Sequence, residues 1–130
     1  MENPIHKQVR DQLKHHVKEK DRARARRSGQ EPWFEVFRRL AHEQGCSLAN
    51  CSVDQLKGRI SSLTREKVMS LKRRHDKNEP HSAGCDLPPV IFLDSAGLHL
   101  IDGTNRVNRF LSASEDAQAI QVILVAQEYP

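Results

Sequence analysis

The feature that most constrains the fold is a change in the spacing of apolar residues near residue 86. Before this point, apolar side chains recur every three or four residues, as they do on one face of an α-helix. After it, short apolar runs alternate with turn-forming residues, which is typical of β-strands. The sequence therefore predicts an α+β domain, with a helical N-terminal half followed by a small mixed β-sheet.

The first predicted helix is long and thinly apolar. Asn3 and Pro4 form a good helix start, a capping side chain followed by proline at the first helical position. We expect an exposed helix over residues 4–27, outside the core, because only a narrow stripe of apolar side chains runs along it. The stripe consists of Ile5, Val9, Leu13 and Val17. A single companion surface would cover it, either the aromatic second helix or another chain.

Three shorter helices are predicted next. Pro32 opens the second, which has the densest apolar face in the chain and ends at Gly45. Ser52 and Gln55 resemble a capping box and predict a short third helix. That helix would turn Val53, Leu56 and Ile60 inward. Thr64 can cap a fourth helix, which would bury Val68 and Leu71.

The second half of the chain predicts the order β-β-α-β. Residues 77–86 have the composition of a linker. The apolar runs 90–93 and 98–101 are separated by a short turn and predict a β-hairpin. Residues 105–112 predict a helix that turns Val107, Phe110 and Leu111 inward, and 120–125 is the clearest strand in the sequence.

Charge is concentrated at the N-terminus. The net charge is +4, but residues 1–27 hold nine Lys/Arg and four Asp/Glu. We therefore divide the chain into a basic helical arm, residues 1–29, and an α+β domain, residues 30–130. A basic arm can contact nucleic acid, a membrane surface or an acidic partner, and four arginines are its candidate contacts to DNA or RNA. They are Arg22, Arg24, Arg26 and Arg27. The alternative is a solvated helix with no charged partner.

Neither a membrane span nor a signal peptide is predicted. No apolar run approaches the roughly 20 residues that a spanning helix needs, and the first ten residues lack the apolar core of an export signal. The chain has three cysteines, an odd number. The sequence thus predicts a cytoplasmic protein with reduced thiols and no membrane partner.

The segment Asp102-Gly103-Thr104-Asn105-Arg106 is the strongest candidate for chemistry. A strand that enters a helix through glycine leaves backbone N–H groups free at the positive end of the helix dipole, which favours an anion. Thr104 can offer a hydroxyl to a phosphate oxygen, and Arg106 can bind phosphate through two hydrogen bonds. Asp102 can hold a metal ion, orient Arg106 or act as a base. The simpler alternative is that Asp102 or Thr104 only caps the helix while Arg106 lies on the surface.

This region resembles the ParB/sulfiredoxin superfamily. The matching segments read LPPVIFL over residues 87–93, GLHL over 97–100 and IDGTNRV over 101–107. They reproduce the family's proline-led strand, its hairpin and its Gly-x-x-Arg turn opening a helix. A preceding helix at 64–76 and the strand at 120–125 also fit, so the resemblance covers roughly residues 64–126.

The resemblance implies a phosphate site at the turn. Members of the family bind nucleotide phosphates there, and some act as NTPases, as kinases or as nucleases. By this resemblance Gly103, Thr104 and Asn105 would cradle the phosphates, Arg106 would grip them, and Asp102 would orient the turn or help to hold Mg²⁺. Asp102 is also the candidate catalytic residue, because a carboxylate at this position can act as a base. The implied cofactor is ATP or another nucleotide with Mg²⁺.

The sequence also departs from the family in several places. Sulfiredoxins carry a cysteine at the position of Thr104, so repair of a sulfinic acid is not expected. Asn105 stands where a stronger phosphate partner is usual. The chain stops at Pro130, so we expect no helix-turn-helix after the motif. Residues 1–63 read as helices and supply no early strand, so we expect a truncated sheet or one completed by another chain.

Other candidate sites have simpler explanations. Five Cys and His residues have spacings near, but not at, those of zinc sites. They are Cys46, Cys51, His75, His81 and Cys85. Buried thiols and loop histidines explain them, so the sequence assigns no metal ligand. The same holds for a Cys85–His81 nucleophile pair in the linker, for a solvated His15-His16 pair, and for the aromatic cluster around Trp33, whose helical spacing is typical of a core.

Three functions remain open from the sequence. The first is a nucleotide- or phosphate-binding protein, with hydrolysis, phosphoryl transfer or nuclease activity. The second is a nucleic-acid-binding protein that uses the basic arm. The third is a non-catalytic interaction or inhibitor protein with a decayed nucleotide site, whose partner is another protein or a second copy of the chain.

Overall fold

The chain folds as an α+β structure in which a mixed sheet lies between two layers of helices. The structure is a computed structural model and describes residues 4–46, 48, 52–71, 88–112 and 118–127. Its helices are α1 (Pro4–Leu13), α2 (Glu19–Ser28), α3 (Pro32–Glu43), α4 (Arg65–Met69) and α5 (Thr104–Ser112). Its strands are β1 (Leu56–Thr64), β2 (Val90–Asp94), β3 (Gly97–Asp102) and β4 (Ala119–Gln127).

The four strands form one sheet in the order β1-β4-β2-β3. The outer pairs are antiparallel, β1 with β4 and β2 with β3, whereas β2 and β4 are parallel. In this order β4 and β2 each pair with a strand on both sides, and β1 and β3 are the edge strands. The general prediction of an α+β fold with a mixed sheet is thus confirmed.

Side chains alternate between the two faces of the sheet, and each face has its own core. One face packs against α1 and α3 through Leu56, Val90, Phe92, Ile101, Ile123 and Val125. The other face packs against α4 and α5 through Leu63, Ile91, Leu100, Ile120, Val122 and Leu124. Burial on both faces explains why β2 and β4 read as continuous apolar runs rather than as alternating patterns.

The elements predicted for the second half of the chain are present. The hairpin, the helix after Gly103 and the final strand all form, and α5 buries Val107 and Phe110. The fourth helix is also confirmed, because the Thr64 side chain accepts a hydrogen bond from the Lys67 N–H at its start. The predicted linker 77–86 lies outside the described residues.

The prediction of a third helix was wrong. The capping box of Ser52 and Gln55 forms, but it caps only a 3₁₀ turn, Val53–Gln55. The chain then extends as β1, which pairs with β4 over its whole length, from Leu56 opposite Gln127 to Thr64 opposite Ala119. β1 is therefore a strand that the sequence did not reveal, in a region that was predicted to be entirely helical.

The prediction of one continuous N-terminal helix was also wrong. Val17 and Lys18 have extended backbone angles, with ψ of 123° and 165°, and they separate α1 from α2. Nor does α1 lie outside the core, since Val9 is 2% exposed and Leu13 is fully buried. Of the two predicted companion surfaces, the chain's own α3 covers the stripe.

A buried ion pair holds α2 against α3. The Arg39 guanidinium donates two hydrogen bonds to the fully buried Asp21, at 3.1 and 3.2 Å. Burial alone would raise the pKa of Asp21, but the hydrogen bonds from Arg39 and from the Lys18 N–H, with the charge of Arg39, lower it below its usual value. The ion pair therefore anchors α2 to α3, although α2 has few apolar side chains of its own.

No described helix combines the length and the apolar composition needed to cross a membrane.

Candidate functional site

The predicted motif lies where β3 passes into α5. β3 ends at Asp102, and α5 begins two residues later at Thr104. Gly103 joins them, and its carbonyl accepts the hydrogen bond from the Val107 N–H, at 3.0 Å, that closes the first helical turn. The first N–H groups of a helix have no acceptor within that helix, so this end of α5 carries a partial positive charge.

Gly103 has a backbone conformation that requires glycine. Its φ is +102°, and a Cβ added there would lie 2.8 Å from the Cα and the Cβ of Pro89. Pro89 cannot easily yield, because it is buried and its carbonyl accepts a hydrogen bond from the Ile123 N–H at 2.8 Å. The sequence predicted for Gly103 either a backbone conformation that other residues disfavour or a close approach to a ligand, and the first of these occurs. The close neighbour is Pro89.

Asp102 contacts a residue that the sequence did not connect with it. Its Oδ1 lies 3.2 Å from His16 Nε2, and the two side chains are 20% and 43% exposed. His16 belongs to a 3₁₀ turn, Lys14–His16, that follows α1. The backbone carbonyl of His16 is held in turn by Arg39 Nη2 at 3.0 Å. The break between α1 and α2 therefore brings a histidine to the motif, which a continuous helix would not predict.

Thr104 and Arg106 are both partly exposed at the start of α5. The side chain of Asn105 is not among those that the structure describes. Arg106 also lines a depression of about 420 Å³ between α5 and the beginning of β4. The rest of its lining comes from Arg109, Phe110, Ala119, Ile120 and Gln121.

The four arginines of the predicted nucleic-acid surface divide between two sides of α2. Arg22 and Arg26 face Glu19, at 3.5 and 3.4 Å. Arg24 and Arg27 instead lie beside Arg38 of α3 in a shallow depression. All four are exposed, so the prediction that their charges face outward agrees with the structure, although α2 itself is docked on α3.

A larger groove runs between α2 and α3, with a volume of about 500 Å³. Its basic lining residues outnumber its acidic ones. They are Lys20, Arg24, Arg38, Arg39 and His42, against Glu35 and Glu43. Cys46 and Leu48 complete the lining. No local pattern in the sequence indicates this groove, because it depends on how α2 packs against α3.

A second group of reactive side chains lies at the other end of the β2–β3 hairpin. Cys46, Asp94 and His99 each place one potential metal-binding atom within 4.8 Å of the others. Burial would raise the pKa of Asp94, but hydrogen bonds from His99, Ala96 and Cys46, with the charge of His99, lower it overall. The sequence had grouped Cys46 with four other residues, all of which lie outside the described part of the chain. Those residues are Cys51, His75, His81 and Cys85.

Comparisons with protein-family models, with curated proteins and with solved structures found no match to this chain. The likeness to the ParB/sulfiredoxin superfamily therefore stays a prediction that rests on the residues of the hairpin and the Gly103 turn.

Proposed function

We propose that this chain binds a nucleotide or another phosphate-bearing ligand at the turn from Asp102 to Arg106. One observation carries the proposal: Arg106 belongs both to the first turn of α5 and to the wall of the adjoining depression. A phosphate at the N-terminus of α5 would meet backbone N–H groups and the Arg106 guanidinium together. The remainder of the ligand would then extend along α5 into the depression.

The depression suits the less polar part of such a ligand. Its volume of about 420 Å³ lies within the roughly 300–1,000 Å³ typical of small-molecule sites. Phe110 and Ile120 supply apolar surface, and Arg106 and Arg109 supply positive charge. A ligand with a flat aromatic ring system, whose faces can stack on apolar side chains, and a negative tail, as a nucleotide has, matches this combination.

Asp102 is the proposed catalytic carboxylate, and it fits a Mg²⁺-nucleotide. Mg²⁺ in nucleotide sites is usually bound by one or two carboxylates, with phosphate oxygens and water completing the shell. Asp102 offers one carboxylate, only partly exposed and oriented by His16 at 3.2 Å. Whether the reaction is hydrolysis, phosphoryl transfer or nucleic-acid cleavage depends on the acceptor, which these residues do not select.

The test is titration calorimetry and thermal shift with ATP, with and without Mg²⁺. A ligand that binds only the folded chain must raise the melting temperature. Arg106→Ala should weaken binding about 10- to 100-fold, because a charged hydrogen bond contributes about 1.5–3 kcal/mol. The matched control is Arg59→Ala, an exposed arginine on β1 at the opposite edge of the sheet.

Equal affinity in the wild type and Arg106→Ala would contradict the proposal. If no nucleotide raises the melting temperature at all, the third function becomes the better one, a non-catalytic interaction or inhibitor protein at a decayed site.

The basic groove favours a second candidate function, binding of DNA or RNA. Arg24 and Arg27 on α2 face Arg38 on α3, so cationic side chains from two helices converge on one surface. Lys20 and Arg39 extend the same surface along the larger groove. Glu35 lies in both linings and pairs with Arg38 at 3.1 Å, so the surface carries a net positive charge rather than charges of one sign. A concave surface of net positive charge attracts a polyanion more strongly than the same charges scattered over a convex one.

The arrangement of α2 provides a matched pair of double variants. Arg24→Ala/Arg27→Ala removes two charges from the groove side, whereas Arg22→Ala/Arg26→Ala removes two charges beside Glu19. Only the first should weaken binding to a DNA duplex and flatten its dependence on salt. The slope of log K against log salt should fall by up to about 2, because each lost phosphate contact removes about 0.9. Equal effects of the two double variants would show that only net charge matters and that no groove is used.

A further inference from the structure

The group formed by Cys46, Asp94 and His99 is set on well-defined backbone. Asp94 ends β2 and His99 lies in β3, so a short hairpin turn connects them. The Asp94 Oδ1 accepts hydrogen bonds from the Ala96 N–H and from His99 Nε2, both at 2.8 Å. Cys46 follows the end of α3, and its N–H donates to the Ala41 carbonyl at 2.9 Å. Three side chains from two layers of the fold thus meet at the hairpin turn.

The separations suit a small metal ion. The three potential ligand atoms lie within 4.8 Å of one another. In a tetrahedral zinc site, bonds of about 2.0–2.3 Å place neighbouring ligand atoms about 3.3–3.6 Å apart. The contact between Asp94 and His99, now 2.8 Å, would have to open by less than about 1 Å, which rotation of the Asp94 side chain can supply.

Burial gives an independent reason to assign a role to His99. His99 is 2% exposed, and its Nδ1 has no hydrogen-bond partner among the described residues. Leaving a buried polar atom unsatisfied costs about 1–3 kcal/mol, a cost that the packing of an imidazole does not by itself explain. The nitrogen that would bind the ion is the other one, Nε2, which contacts Asp94 Oδ1. Cys46 is 4% exposed, and its thiol donates a hydrogen bond to Asp94, so its sulfur is already directed at the carboxylate.

The donor set points to one class of ion. A thiolate and an imidazole favour Zn²⁺ and its neighbours over Mg²⁺ or Ca²⁺, which take oxygen ligands almost exclusively. Binding would release the thiol proton of Cys46 to solvent. With Asp94 as a carboxylate and His99 neutral, the two negative ligands balance the charge of a divalent ion. Cys46 also lines the groove between α2 and α3, which gives the ion a path of entry and leaves room for water or a small ligand as a fourth donor.

We propose that Cys46, Asp94 and His99 form a site for a divalent transition-metal ion, with Zn²⁺ as the ion that the three side chains suit best. The site does not depend on the phosphate turn, because it shares no residue with it.

Titration of the full-length, metal-free chain with Co²⁺ tests the proposal, because Zn²⁺ itself has no visible spectrum. A thiolate-to-cobalt charge-transfer band should appear with one ion bound per chain, and added Zn²⁺ should remove it. The same band should persist in Cys51→Ser/Cys85→Ser, in which Cys46 is the only cysteine left. Mg²⁺ should neither displace the cobalt nor raise the melting temperature, whereas Zn²⁺ should raise it.

Single variants then identify the ligands. Cys46→Ser should abolish the band. Asp94→Asn should weaken Co²⁺ binding at least about 10-fold, because even residues that only hydrogen-bond to a metal ligand lower metal affinity about 10-fold or more when they are changed. Asp54→Asn, an exposed carboxylate before β1, is the matched control and should bind like the wild type. His99→Gln alters a buried residue, so circular dichroism must show that it folds before its affinity is interpreted.

Three results would overturn the metal site. They are the absence of a charge-transfer band in the wild type, a band that survives in Cys46→Ser, and a band that disappears in Cys51→Ser/Cys85→Ser. The last two would assign the thiolate ligand to Cys51 or Cys85.

Discussion

The hairpin of β2 and β3 carries a candidate site at each end, and the two sites are built in different ways. At one end, Asp102–Arg106 are consecutive in sequence and act through backbone conformation and positive charge, and Asp102, Gly103, Thr104 and Arg106 are partly exposed. At the other end, Cys46 lies far along the chain from Asp94 and His99, and the cysteine and histidine are almost fully buried. A local motif can therefore be read from a sequence, whereas a site assembled by packing cannot.

Arg39 connects the surroundings of the two sites. Its guanidinium donates to the His16 carbonyl at 3.0 Å, and His16 contacts Asp102. The same arginine lines the groove that Cys46 reaches. A substitution of Arg39 should therefore affect ligand binding at both ends of the hairpin, whereas a substitution within one site should affect binding at that site only.

The largest effect is expected from Arg39→Met. It leaves the fully buried Asp21 without its guanidinium partner, and breaking a buried ion pair from one side typically costs about 3–5 kcal/mol. Urea denaturation should show this loss in the free energy of unfolding. The double variant Asp21→Asn/Arg39→Met should recover part of it, because no buried charge is then left unpaired. A double variant no more stable than Arg39→Met would show that Arg39 acts through its other contacts.

The next largest effect separates the two ends of the hairpin directly. Gly97, in the turn beside Asp94, has a φ of +122° with nothing within 4 Å of an added Cβ, whereas Gly103 combines a φ of +102° with Pro89 at 2.8 Å. Gly97→Ala should cost about 1–3 kcal/mol through backbone strain. Gly103→Ala should cost a further 1–3 kcal/mol, roughly, through overpacking. Equal losses in urea denaturation would show that Pro89 moves aside easily.

The same contrast explains which parts of the fold the sequence predicted. The hairpin, α5 and β4 were predicted because their apolar runs and the glycine turn are local signals. β1 was not predicted, because it is an edge strand in which residues 59 and 60 are both exposed, so its side chains do not alternate between buried and exposed. It also follows a genuine capping box, whose helical structure ends after one 3₁₀ turn. Gly58 and the Ser61-Ser62 pair, all weak helix formers, were the signal that could have revealed it.

The candidate sites divide in the same way. For Gly103 the sequence predicted either a conformation that other residues disfavour or a close approach to a ligand, and its φ of +102° bears out the first. The contact between His16 and Asp102 could not be predicted, since it depends on the break at Val17 and Lys18. The pairing of Cys46 with the hairpin depends in turn on how α3 packs across the sheet.

Acid should weaken the side of the fold that Asp21 holds. Its pKa is lowered in the folded chain from the ordinary value of 3.8, so its contribution to stability is complete above that value and is lost as the pH falls through the lower folded value. The free energy of unfolding of the wild type should therefore fall more steeply than that of Asp21→Asn between about pH 5 and pH 2. If the free energies of unfolding of the two proteins, from urea denaturation, changed in parallel with pH, the charge of Asp21 would contribute nothing to stability.

The smallest change in stability, and the sharpest test of the phosphate turn, is expected from His16→Asn. The contact of His16 with Asp102 is partly exposed, with side chains 43% and 20% accessible, and exposed pairs contribute about 1 kcal/mol or less. The melting temperature should therefore change little. Binding of ATP in the absence of Mg²⁺ should weaken several-fold, because an Asp102 carboxylate no longer engaged by His16 repels the phosphate beside it. A repulsion of about 1 kcal/mol between charges some 4 Å apart changes affinity about fivefold. His15→Asn is the matched control, an exposed neighbour in the same 3₁₀ turn. If both variants bind ATP as the wild type does, His16 only tethers the turn; if both lose affinity equally, the 3₁₀ turn acts through its overall positive charge.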